Sequence, residues 1–216
     1  MPELSAASLA PLFQAVGEAL SQQQAALNQA DSLNGDHGDH MVEIFQIATR
    51  AAQEKQESEV AEAMAYAASQ LEALSGNGSA KVYANGLQQM AAQLRRYEIS
   101  LDDLVGYIRI ELGEGKTNNK TPAPDLAHAG GVLKALVAGL ANWGRVEEGK
   151  QPEDNPVDMG VLLEFGMAYL QAKLGGGRRA EVLAEAAAAA SPLSKAPQRY
   201  QSGKIAIQAF LEAMQG

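Results

Sequence analysis

The sequence predicts an all-α fold of eight or nine antiparallel helices joined by short links, and three observations lead there. Apolar residues recur at i, i+3, i+4 and i+7 through most of the chain, the period of one helix face. Alanine, leucine, glutamine and glutamate are abundant while aromatic residues make up 5% of the 216 positions, a balance that favours helix over sheet. β-Branched residues seldom alternate, and only Val105 to Ile110 reads as a strand. The helical pattern never pauses for long, so one domain over 1–216 is expected, with length enough to bury a real core.

The first helix is predicted from about Leu4 to Leu27, because Leu9, Leu12, Phe13, Val16 and Leu20 fall on one face. A polar loop from Asn28 to Asp39 follows. The second helix runs from Met41 to about Ala52, with Val42, Ile44, Phe45 and Ala48 as its buried side, and the charged QEKQESE tract turns the chain. The third covers Glu59 to Leu74. Ser75-Gly76-Asn77-Gly78-Ser79 breaks it, and the fourth starts near Ala80 with Leu87, Met90, Ala91 and Leu94 inward. Ser100 is an N-cap for the fifth, with Asp103 at capping-box distance, and that helix stops before Gly113. After a polar loop to Pro124 comes an apolar helix from Asp125 to Trp143, then an acidic loop to Pro156 and a helix from Val157 to Leu174. Gly175-Gly176-Gly177 closes it. Arg178 and Arg179 lead into an alanine-rich helix ending at Ser191-Pro192, and the last helix, Gln198 to Met214, packs through Ile207, Phe210, Leu211 and Met214.

The formal charge of −9 argues against nonspecific nucleic-acid binding, which rests on basic surface. Without cysteine there is no disulfide framework, no zinc-thiolate site and no thiol nucleophile. No basic leader with an apolar run stands at the N-terminus and no run approaches membrane-spanning length, so no membrane association and a cytoplasmic location are expected.

Chemistry concentrates in Asn34-Gly35-Asp36-His37-Gly38-Asp39-His40-Met41, which holds two of the three histidines, two carboxylates and two glycines. Such a run also forms solvated turns and N-caps, yet a plain turn does not need four titratable side chains. The loop opens a helix, whose free N–H groups and positive dipole end seat phosphate. Carboxylates beside that seat suit Mg²⁺, held by a few aspartate oxygens and substrate phosphates. A zinc site using His37, His40 and an aspartate is the competing reading; the glycines and the helix start favour Mg²⁺ and phosphate. Ser75 to Ser79 is a second small-residue loop before a helix start. There Gly76 and Gly78 allow close backbone approach to an anion and Ser79 offers a hydroxyl. Gly113-Glu114-Gly115-Lys116-Thr117 is not a phosphate loop, because Ile110 stands where that motif requires glycine. His128 on an apolar helix reads as packed or capping, and Arg199 and Lys204 are open.

At these residues the chain resembles the DhaL-type nucleotide-binding domain, the family of the ADP-binding subunit of dihydroxyacetone (glycerone) kinases and of the kinase domain of fatty acid kinases. Ala26-Leu27-Asn28 followed by Gln29 to Met41 is similar to the family's ALN…DGDTGTNM and GDADHGLNM signatures, with Asp36, His37, Gly38 and Met41 at matching positions. Gly78-Ser79-Ala80 with Val82 and Tyr83 is similar to ASGPLYG, where serine and backbone amides hold phosphate. The family's first motif aspartate is Asn34 here and its motif asparagine is His40. Asp31 lies two residues closer to Asp36 than the aspartate preceding the family motif, Gly177-Arg178-Arg179 matches the later segment only loosely, and the HxDPG ending is absent.

The resemblance implies a closed barrel of eight antiparallel helices with the nucleotide site at one end. It implies a kinase (phosphotransferase) subunit with Asp36 and His37 as catalytic residues. Gly38, His40, Met41, Gly78, Ser79, Ala80 and Arg178 would bind ADP or ATP, and Asp31, Asn34, Asp36 and Asp39 would bind Mg²⁺. The expected partner is a substrate-binding kinase subunit of the dihydroxyacetone- or acyl-binding type, with a phosphoprotein or ATP as phosphoryl donor and a homodimer compatible with it. A catalytically silent nucleotide- or metal-sensing module and a zinc-dependent hydrolase are the alternatives.

Overall fold

A computed structural model describes residues 5–74, 76–98, 100, 181, 182, 184, 185, 188 and 196–214. Among these no strand occurs, and six α-helices are defined. After a 3₁₀ turn at Ala6–Ser8 come α1 (Leu9–Gln22), α2 (Gln24–Ala30), α3 (His37–Glu54), α4 (Val60–Glu72), α5 (Gly78–Tyr97) and α6 (Pro197–Ala213). Positions 181, 182, 184, 185 and 188 of the alanine-rich stretch are helical too. The helices expected after Ser100 and between Asp125 and Leu174, with Arg178, lie outside the described residues.

The core is the set of faces that the apolar spacing marks. Leu9, Leu12, Phe13, Val16 and Leu20 of α1 are buried with Met41, Ile44, Phe45 and Ala48 of α3, while Val42 is half-buried. α1 packs against α3 and α6, and α4 against α3 and α5. Phe45 is the joint: its ring lies 6.4 Å from that of Phe13 and meets Tyr83 edge-on at 5.4 Å, linking α1, α3 and α5. An apolar cavity of about 90 Å³ sits beside it, between Val16, Met64, Leu71, Leu87 and Ile207. Burial also pushes the Tyr83 hydroxyl's pKa far up. At the α3–α4 turn, Lys55 pairs with Glu62 at 3.0 Å and lies over the Tyr66 ring, whose hydroxyl donates to Glu54. These groups are exposed, so the clasp contributes little to stability.

Two boundaries differ from the sequence reading, for one reason. The first helix, expected unbroken to Leu27, breaks at Gln23 (φ −108°, ψ 5°), and the loop expected over Asn28 to Asp39 contracts to 31–36. No glycine or proline marks the break. Instead α2 swings against the start of α3, where the Asn28 side chain caps the Gly38 and Asp39 amides and lets the helix begin at His37 rather than Met41. A cap supplied from ten residues upstream is invisible to local spacing. At α5 the cap is local: Asn77 Oδ1 accepts from the Ala80 amide at 3.0 Å, and Glu98 closes the helix in the left-handed region (φ 51°) beyond Arg95 and Arg96. α6 opens on Pro197, suited to a first helical position.

Candidate functional site

The first turns of α3, α5 and α6 are tied together by side chains. Asn77 Nδ2, at the start of α5, donates to the His40 carbonyl at 3.3 Å and to Glu43 Oε2 at 3.2 Å on α3. His37 Nε2 lies 2.9 Å from Ser202 Oγ of α6, and Gln198 Nε2 donates to Asp31 Oδ1 at 3.3 Å. The Ser202 hydroxyl donates to the Arg199 carbonyl at 3.1 Å, so its oxygen is the acceptor for His37 and the imidazole carries its proton on Nε2.

Within this cluster the expected metal ligands have different occupations. Asp39 Oδ1 accepts from Gln24 at 2.6 Å and from Asn28 at 2.9 Å. Those side chains, Asn28 first, hold its pKa below the usual carboxylate value. Asp31 Oδ1 accepts from the Leu33 amide at 3.1 Å as well as from Gln198. That amide, aided by those of Asp36 and Gly35 and by His37, lowers its pKa against the opposing effect of burial. Asn34 is exposed at the loop tip beside Gly35, whose φ of 72° makes the bend.

Asp36 is different. Its Oδ1 lies 3.3 Å from His40 Nδ1, close enough for charge interaction but without hydrogen-bond alignment, so this enclosed oxygen receives no hydrogen bond. A carboxylate oxygen left this way fits a cation better than Asp31 and Asp39 do, each already supplied with donors. The expected four-residue metal set is therefore corrected to one strong position. Among the described residues no three histidine, aspartate or glutamate side chains gather at metal-binding distance.

The phosphate seat is corrected as well. Asn28 Oδ1 stands 2.6 Å from the Gly38 amide and 3.2 Å from that of Asp39, and the His40 amide bonds the Asp36 carbonyl. The start of α3 is already capped. A Cβ on Gly38 would come 2.2 Å from the Gln24 carbonyl oxygen, so this glycine serves the contact of α2 with α3 rather than the approach of a ligand. Met41 is fully buried in the core. At α5 the Ala80 amide is taken by Asn77 and Ala80 is buried, but Gly78 and Ser79 occupy the first two helical positions, whose amides lack intrahelical acceptors. A Cβ on Gly78 would meet nothing within 4 Å, so space lies over that end.

His37, expected to be catalytic, is 6% exposed and engaged with Ser202. Burial foremost, then the Arg199 charge, depresses its pKa below the ordinary histidine value against the pull of Asp31. It holds α6 in place as a neutral donor. Gln24, Asn28, Asn77, Glu43, Gln198 and Ser202 complete the cluster. Of these only Asn77 is marked as a cap by its local sequence, an asparagine three residues before Ala80. No family model, no curated protein and no solved structure matches the chain.

Proposed function

We propose that the chain is a nucleotide-binding helical subunit of the dihydroxyacetone-kinase kind, which holds ADP or ATP with Mg²⁺ and acts with a partner carrying the phosphoryl acceptor. One observation supports it most. The two small-residue loops, with Asn77 and His40 thirty-seven positions apart, are hydrogen-bonded to each other at one end of the helices. The C-terminal helix joins them through Ser202 and Gln198. In this reading that end is the nucleotide rim of the closed eight-helix barrel.

Each residue then has a task. The Asp36 carboxylate holds the cation, with waters and phosphate oxygens filling its other positions. Magnesium, when bound, neutralises charge on the phosphates. The Gly78 and Ser79 amides and the Ser79 hydroxyl donate to phosphate oxygens. His40 borders both Asp36 and α5 and keeps the two in register. The acceptor, a dihydroxyacetone-like or acyl compound, resides on the partner, and the donor is ATP or a phosphoprotein that recharges bound ADP.

A catalytically silent sensor of the same fold is the second reading, favoured by the Asn28 cap on α3 and by the single strong cation position. The zinc hydrolase has no comparable support, since His37 turns to Ser202 and His40 to Asp36.

Thermal unfolding of the full chain with Mg²⁺ plus ADP, Mg²⁺ alone and Zn²⁺ alone tests the reading. At one hundred times Kd the nucleotide should add about 2.7 kcal/mol, or roughly 5–10 °C in Tm, and Asp36→Ala should abolish the gain. Stabilisation by Zn²⁺ alone, lost in His37→Ala, would replace the kinase reading with the hydrolase. Stabilisation by Mg-ADP without phosphoryl transfer in the presence of a substrate-binding partner would favour the sensor.

A further inference from the structure

The first turn of α6 is fastened on both sides of Arg199. Gln198 donates to Asp31, and Ser202, which also donates to the Arg199 carbonyl, pairs with His37. Arg199 is thus held at the rim by its neighbours rather than by its own side chain. Its guanidinium is half-buried and, among the described residues, has no carboxylate partner. Lys204, on the same helix, does have one: Glu185 at 3.1 Å. In a chain with 26 acidic and 17 basic residues, an arginine beside Asp31 and Asp36 has carboxylates to choose from, yet both aspartates are engaged elsewhere, with amides and Gln198 or with His40. Of the charges acting on His37, that of Arg199 is the largest.

We propose that Arg199 is an anion-binding residue of this rim, supplied by the C-terminal helix to grip the terminal phosphate of the bound nucleotide. The inference rests on the Mg-nucleotide reading above. A guanidinium suits the task because its planar fork offers two parallel N–H donors to one phosphate, and it stays charged at every physiological pH. The α5 amides would take one phosphate and Arg199 the outer one, so the site counts phosphates. Arg178, which the resemblance puts in this role, is not needed for it.

Calorimetric titration of the full chain with Mg-ADP and with Mg-AMP tests this. The wild type should prefer the diphosphate, and Arg199→Gln should weaken Mg-ADP about tenfold while leaving Mg-AMP unchanged, which also certifies that the variant is folded. Lys204→Gln removes the same charge from the same helix and should bind both as the wild type does. If Arg199→Gln binds Mg-ADP as tightly as the wild type, the role of Arg199 is overturned and the nucleotide reading stands. Equal weakening by both substitutions, or loss of Mg-AMP binding together with Mg-ADP, also overturns it. A wild type that binds neither nucleotide removes the nucleotide reading and this inference together.

Discussion

Gly38→Ala separates a ligand-binding glycine from a packing glycine. The new Cβ would stand 2.2 Å from the Gln24 carbonyl oxygen, 2.8 Å from Asn28 Oδ1 and 2.9 Å from the Gln24 carbonyl carbon. Carbon contacts become favourable only near ~3.5 Å, and two of the three obstacles are backbone of α2, which cannot rotate away. Forcing α2 and α3 apart is an overpacking cost of about 1–3 kcal/mol. The shift also strains the Asn28 bonds to the Gly38 and Asp39 amides, each contributing about 1 kcal/mol net. Alanine's better helix propensity returns at most about 1 kcal/mol. The expected net loss is about 2–4 kcal/mol, or roughly 5–12 °C in Tm, without any ligand present. Urea unfolding followed by circular dichroism should give a lower midpoint at unchanged slope. Gly78→Ala, where the added carbon meets nothing, should stay within about 0.5 kcal/mol of the wild type. A ligand-free Gly38→Ala protein as stable as the wild type would refute the contact of α2 with α3 described here.

Other perturbations have equally definite outcomes. Phe45→Ala removes the ring shared by Phe13 and Tyr83 beside an existing cavity, and equilibrium unfolding should register a loss of about 3–5 kcal/mol. Asn77→Asp keeps the cap acceptor but loses the donor to His40 and Glu43 and sets two carboxylates together. It should destabilise, with Glu43→Gln restoring part of the loss in a double-mutant cycle. Because the folded state holds the pKa of His37 below its unfolded value of about 6.5, the unfolded chain takes up the proton first as pH falls. The stability contributed by neutral His37 is therefore complete above that value and diminishes below it, down to the depressed folded pKa. His37→Gln should flatten this limb of a stability–pH curve measured by chemical unfolding.

What was legible in the sequence is what depends on neighbours three or four residues away. The buried faces of α1 and α3, the inward Leu87 and Leu94, and the final helix with its apolar Ile207 and Leu211 all follow from spacing. Asn77 was legible as a cap for the same reason. What spacing could not reveal depends on contacts between segments. The break at Gln23 has no local breaker, and the early start of α3 depends on Asn28 reaching across from α2. Two of the titratable side chains in the GDHGDHM run turned out to be committed: Asp39 to Gln24 and Asn28, His37 to Ser202 at a separation of 165 residues. Composition identified a cluster rich in ligating groups, but hydrogen bonds from distant helices decide which of them are left with an oxygen to offer.

The central claim is that Asp36 and the start of α5 jointly hold a magnesium nucleotide. Isothermal titration of Mg-ADP into the wild type, Asp36→Ala and Ser79→Ala, with and without EDTA, measures it directly. The account predicts magnesium-dependent binding in the wild type, lost in Asp36→Ala and weakened in Ser79→Ala, with all three proteins equally helical. Binding that ignores EDTA and survives Asp36→Ala undiminished, or no binding to the wild type at millimolar nucleotide, would contradict it.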